Sequence, residues 1–296
     1  MKTTISIAIF IAALLFCNGC GSDDTKWKTI SASPDSNSKS MTTSDENKKI
    51  GGGFTANLPD GFQQPSDDAG KRLLREYGAV FVARGGAVPP NVVVFKDESE
   101  VSAFQAKAGS SRETISGVSI ELQPAAMATL KKAVADANES GVTITPRGSD
   151  AAKRSYQDTV ELWASRVKPG LTHWTSQGRI SSADAARISA LSPYEQVPEI
   201  FKLEAQGIYF AKDLSKSIIY SVAPPGSSQH LSMLALDVTE HDNSQVRSIL
   251  AKHGWFQTVE SDLPHFTFLG VPQTDLPKLG LKKVSHSGRV FWVPEI

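Results

Sequence analysis

Beyond residue 123 the apolar positions recur with a helical period. Pro124 stands at a helix start, Met127, Leu130, Val134 and Ala137 follow at helical spacing, and the Asn138-to-Gly141 stretch reads as a stop. The β-branched run 142–145 reads as a short strand. Ser149-Asp150 can cap a second helix, with Tyr156, Val160, Trp163 and Val167 as its stripe and Pro169-Gly170 as its end. Further helices are predicted over 182–191 and 244–253, and strands over 208–210, 218–222, 233–238, 266–269 and 290–293. Strands outnumber the helices between them, and the connections are too short for repeated crossover helices. The pattern predicts an α+β fold with a mainly antiparallel central sheet covered by helices.

Upstream the periodicity weakens. Residues 54–120 hold strand-like runs at 79–83 and 92–95, a Pro89-Pro90 break and a charged turn at 96–100. The segment is small for a core of its own, so it is expected to pack on the main domain, 121–296, as an N-terminal extension. Residues 20–53 are Ser, Thr, Asp, Asn and Lys with few apolar side chains, ending in Gly51-Gly52-Gly53. Such a stretch reads as a disordered linker, because it cannot bury enough surface to offset its ordering entropy. Residues 1–19 read as an export signal: Lys2 gives a positive start, and 5–16 form an apolar run broken by Ser6, too short to span a bilayer.

Charge and cysteine content narrow the chemistry. With 31 basic and 31 acidic side chains the formal net charge is zero, which argues against a nucleic-acid partner. The two cysteines, Cys17 and Cys20, both fall at the end of the leader, so any metal in the exported body must be held by His, Asp or Glu. Gly19-Cys20-Gly-Ser-Asp-Asp resembles a lipoprotein processing site, with Cys17 where such sites usually carry leucine. Lipid attachment at Cys20 and ordinary signal cleavage both stay open, and both place the body in the cell envelope.

Two segments carry candidate chemistry: Ser228-Gln229-His230 leading to Ala235-Leu236-Asp237, and Asp262-Leu263-Pro264-His265-Phe266. Two histidines and one carboxylate supply what a catalytic zinc site needs, with a fourth position left for water. A straight strand from His230 to Asp237 would separate them by roughly 23 Å. His230 must therefore fold back, and Pro224-Pro225-Gly226-Ser227-Ser228 supplies the turn residues for that. A lone histidine is more often solvated than a ligand; the combination singles out these segments. His241, four residues after Asp237, is the rival ligand, while His173, His253 and His286 read as structural or solvated.

On these residues the chain resembles the D-alanyl-D-alanine carboxypeptidase family of zinc peptidases, which contains the vancomycin-resistance D,D-carboxypeptidases and D,D-dipeptidases. The family pattern is Ser-x-His-x-x-Gly-x-Ala-x-Asp followed by Glu-x-Trp-His. Ser228, His230, Ala235 and Asp237 fall on the first part, and His265 on the second. Met233 replaces the glycine, Asp262 the glutamate and Pro264 the tryptophan. Ser228 to Asp237 and Ser261 to Phe266 are similar to a branch of the family carrying these same substitutions. Arg154-Ser155-Tyr156, with Leu162-Trp163 closing the same helix, resembles the family's Arg-Ser-Tyr segment. The resemblance covers about 123 to 296, somewhat over half the chain.

The resemblance implies Zn²⁺ held by His230, Asp237 and His265, with Asp262 as general base and Arg154 polarising the substrate carbonyl. Glu260 and Arg147 are the reserve choices for those two roles, and Ser228 and Tyr156 are expected to help bind the peptide. The implied activity is hydrolysis of the terminal D-Ala-D-Ala bond of peptidoglycan stem peptides; separately, a monomer is expected. The alternatives are a wall endopeptidase, an L,D-specific peptidase, or a non-catalytic zinc- and wall-peptide-binding lipoprotein.

Overall fold

The chain is seen in a computed structural model that describes residues 52–89, 92–286 and 288–296. The leader over 1–19, Cys17, Cys20 and almost all of the 20–53 linker lie outside the described residues. Helices are α1 (Phe54–Asn57), α2 (Asp68–Tyr77), α3 (Glu98–Ala108), α4 (Pro124–Glu139), α5 (Tyr156–Ser176), α6 (Ser182–Ala190), α7 (Pro193–Glu204) and α8 (Ser244–Lys252). Strands are β1 (Ser111–Ile115), β2 (Val118–Leu122), β3 (Ala235–Asp237), β4 (Trp255–Phe256), β5 (His265–Phe268), β6 (Leu281–His286) and β7 (Arg289–Pro294).

Helices and strands are mixed, as expected of an α+β chain, but the strands do not gather into one central sheet. They form three small antiparallel sheets: β1–β2, β3–β5–β4 and β6–β7. The apolar runs 79–83 and 218–222 account for much of the difference. They form 3-10 turns at Gly78–Val82, which is buried throughout, and at Ile218–Tyr220, where Tyr220 is exposed; runs this short have no period to tell strand from helix. Residues 142–145 are not a strand; Pro146 makes an isolated bridge to Val238, and Thr239 donates its N–H to the Thr145 carbonyl. Residues 92–95 and 208–210 are likewise outside any strand.

Helix boundaries also differ from the expectation at three places. The charged run 96–100 opens α3, where Asp97 accepts from the Glu100 N–H at 2.9 Å and Glu100 accepts from the Lys96 N–H at 2.7 Å. Ser155, not Ser149-Asp150, caps α5: it accepts from the Asp158 N–H, and Asp158 accepts from the Ser155 N–H in return. Pro169-Gly170 does not end α5. Pro169 faces outward, and Gly170 is small for packing, since a Cβ there would lie 2.4 Å from the Phe210 ring.

The main core joins α4 (Met127, Leu130), α8 (Val246, Leu250) and the inner faces of β3 and β5 (Leu236, Phe266) to Phe54, Leu74 and Phe81 of the N-terminal segment. A second cluster fills the space among α5, α6 and α7 with Trp163, Ile188 and Ile200, and takes in Tyr77 at the end of α2. A small third cluster holds Phe95, Val101, Tyr156 and Leu231. Among the described residues no helix is long and apolar enough to cross a membrane.

Candidate metal centre

Strand register builds the site. In the β3–β5 ladder Asp237 lies opposite His265, Leu236 opposite Phe266, and Ala235 opposite Thr267. Side chains alternate across a strand, so Leu236 and Phe266 enter the core while Asp237, His265, Ala235 and Thr267 share the other face. Directly opposed residues have Cβ atoms about 5 Å apart, close enough for Asp237 and His265 to reach a common point. A slip of either strand by one residue would turn its own member of the pair into the core.

His230 arrives from the turn before β3. Gly226, at φ 80°, passes so near Phe95 that a Cβ would fall 1.8 Å from its carbonyl oxygen, and the Phe95 N–H donates to the Gly226 carbonyl at 3.0 Å. The 3-10 turn Gln229–Ser232 follows and ends at Met233 in the left-handed conformation, φ 58° and ψ 27°. That left-handed residue turns the chain into β3 and swings His230 back over it.

Three atoms meet as a result. His230 Nε2 is 3.2 Å from Asp237 Oδ1, His265 Nδ1 is 3.2 Å from the same oxygen, and the two ring nitrogens are 3.2 Å apart. Tetrahedral zinc with bonds of about 2.0–2.1 Å has ligand-to-ligand edges of about 3.3–3.4 Å. The triangle thus matches one face of such a tetrahedron, and His230, Asp237 and His265 are the residues that would hold such an ion. These are the residues brought together as a possible metal cluster among the described residues.

Protonation favours a cation there. His230 Nδ1 lies 2.7 Å from the Ala152 carbonyl oxygen, an acceptor only, so Nδ1 carries the proton and Nε2 presents a lone pair. Burial holds the His230 pKa below its ordinary value, opposed by Asp237 and aided by Arg154, which favours the neutral ring at about pH 7. Burial works against ionising Asp237, but His230 and His265 outweigh it and hold the carboxyl well below the ordinary carboxylate range. Both imidazoles are nearly fully buried, and the Asp237 side chain is 14% exposed.

The remaining candidates are placed less uniformly. Arg154 Nη2 donates to Asp237 Oδ2 at 2.9 Å and its Nε to the Asp150 carbonyl at 3.0 Å; Nη1 has no hydrogen bond among the described residues. Arg147 is exposed, and its backbone N–H donates to the Asp237 carbonyl. Asp262 is exposed at the turn entering β5, where its carbonyl accepts from the His265 N–H at 3.2 Å; its carboxylate makes no hydrogen bond or ion pair among the described residues. Glu260 instead lines a cavity of about 320 Å³ with Arg75, Glu76 and Lys282. Ser228 is buried just before the 3-10 turn, its hydroxyl without a hydrogen bond among the described residues. Tyr156 packs against Phe95, Val101 and Leu231, with its pKa pushed up to about 12 by burial and by Asp97 and Glu100.

The rival His241 stands apart from the triangle, its Nδ1 3.0 Å from Arg289 Nη1, where burial and the neighbouring arginines hold its pKa down. His253 pairs with Asp136 at 2.9 Å, and His173 stacks edge-on against Trp174. Two supports of the site carried no signal in the sequence. One is the Ala152 carbonyl, which a motif of side chains cannot mark. The other is Gln229, whose Oε1 lies 2.9 Å from His265 Nε2.

No protein-family model matches the chain, and no curated protein matches its sequence. Among solved structures it is similar to a mutant of the vancomycin-resistance D,D-pentapeptidase VanY from a VanB-type resistance cassette, in complex with Zn(II). Identity is 16%, the match covers 56% of this chain and 82% of that one, and the TM-score is 0.29. A likeness of that size assigns no role to any residue.

Proposed function

We propose that the chain is an exported zinc peptidase that removes the terminal D-Ala from peptidoglycan stem peptides ending in D-Ala-D-Ala. The observation that carries this reading is the 3.2 Å triangle of His230, Asp237 and His265, built by residues that fall in order on the D,D-carboxypeptidase motifs. Two imidazoles and one carboxylate suit zinc better than magnesium or calcium, which favour all-oxygen cages.

A zinc ion so held supplies Lewis-acid chemistry, lowering the pKa of water and polarising a carbonyl. The protein supplies the rest. Asp262, exposed and without a partner among the described residues, three positions before His265, accepts the proton of the attacking water and passes it to the leaving amine. Arg154 offers its uncommitted Nη1 to the oxygen on which negative charge grows, while Nη2 keeps Asp237 in place. The Ser228 hydroxyl is free to meet the peptide. Tyr156 serves the packing between α3 and α5.

The direct test is release of D-Ala from a peptide ending in D-Ala-D-Ala, with bound zinc measured in parallel. Activity is expected to follow zinc content and vanish with chelator. Asp262→Asn is expected to keep its zinc and lose about 10²–10⁴-fold in turnover, and Glu260→Gln to stay near wild type. Activity that survives full metal removal overturns the proposal. Zinc binding without product favours a non-catalytic wall-peptide binder. Products from purified wall material would separate carboxypeptidase from endopeptidase or L,D-specific cleavage.

A further inference from the structure

Gln229 is among the most deeply buried polar side chains, and all its hydrogen-bonding capacity is used. Its Nε2 donates to the Tyr77 carbonyl at 2.9 Å and to Thr258 Oγ1 at 3.3 Å. Its Oε1 receives Thr267 Oγ1 and faces His265 Nε2 at 2.9 Å. Thr258 and Thr267 are joined at 2.6 Å. These contacts close a ring: amide N–H to Thr258, Thr258 hydroxyl to Thr267, Thr267 hydroxyl back to the amide oxygen.

Only one direction of that ring is open. The Tyr77 carbonyl can accept but not donate, so the amide nitrogen must face it; the flipped amide would set two oxygens against each other in a buried place. With the nitrogen fixed, Oε1 faces His265 Nε2 and needs a donor there. A neutral His265 must carry its proton on Nε2, which leaves Nδ1 as a lone pair beside Asp237 Oδ1 and His230 Nε2.

From this we infer that Gln229 is a positioning residue that selects the His265 tautomer and ring orientation needed for metal binding through Nδ1. The instruction originates in a backbone carbonyl at the end of α2, far away in sequence. The inference rests on the zinc reading for its purpose, but the tautomer itself does not depend on a metal. Partners of this kind, holding the far nitrogen of a ligand histidine, typically change metal affinity about 10–100-fold when removed.

The test uses the full chain and two readouts. Nitrogen-15 chemical shifts of His265 in zinc-free protein at neutral pH are expected to show the Nε2–H form. Zinc affinity, measured by chelator competition, is expected to fall about 10–100-fold in Gln229→Leu. An Nδ1–H His265 in the wild type, or unchanged affinity in Gln229→Leu at native thermal stability, would each overturn the assignment. A wild type that binds no zinc yet shows the Nε2–H form would sink the metal reading and leave the tautomer control standing.

Discussion

Asp237 carries the heaviest electrostatic load of any residue in the site. It accepts from Arg154 through Oδ2 and faces two imidazole nitrogens through Oδ1. Its folded pKa is depressed below the ordinary 3.8, so the stability it contributes is present above that value and is lost as pH falls through the lower, folded one. The contribution is about 1.4 kcal/mol for each pH unit by which the folded carboxyl is held down. Urea unfolding of zinc-free protein should show an acid limb below pH 3.8 that is flatter in Asp237→Asn than in the wild type. An identical limb in both would mean that the carboxylate is not ionised by its neighbours as the geometry requires. The three residues that meet were legible as residues, because His230, Asp237 and His265 fall in order on the motifs that carry the resemblance. The groups that fix their protons were not: one is a backbone carbonyl, and the other is a glutamine in the unspecified position of its motif.

Among the elements, the turn at Met233 links local conformation to the site. The family pattern carries glycine there, and the left-handed φ of 58° explains that preference. In this chain the methionine side chain is fully buried, so backbone strain and packing oppose each other. Met233→Gly should regain about 1–2 kcal/mol of left-handed strain and lose about 2–5 kcal/mol of buried side chain. Packing is expected to win, leaving the variant less stable by about 1–3 kcal/mol in denaturant unfolding; a gain in stability would show that the methionine fills no needed volume. Strongly periodic elements, such as α4 and α8, were readable from their stripes. The 3-10 turns at Gly78–Val82 and Ile218–Tyr220 were not, since runs of about five mostly apolar residues are too short to show a period. α3 was missed because its polar face dominates and Val101 is its one buried large apolar side chain.

At the scale of the whole molecule the site draws on all three apolar clusters. Leu231, beside His230, belongs to the small cluster with Phe95; Leu236 and Phe266, beside Asp237 and His265, belong to the main core. Tyr77, whose carbonyl holds Gln229, belongs to the helical cluster. An ion held by the three ligands would therefore resist separation of any cluster from the others, and binding that favours the folded state stabilises it by about 2.7 kcal/mol at a hundredfold excess over Kd. For a unit of this size that corresponds to a rise of roughly 5–10 °C in Tm. Thermal unfolding of wild type should shift upward as one transition when zinc is added, and His230→Ala should show no shift. If zinc moved only one of two separable transitions, the ligands would be coupled to their local cluster alone, and the links through Tyr77 and Leu231 would carry no stability.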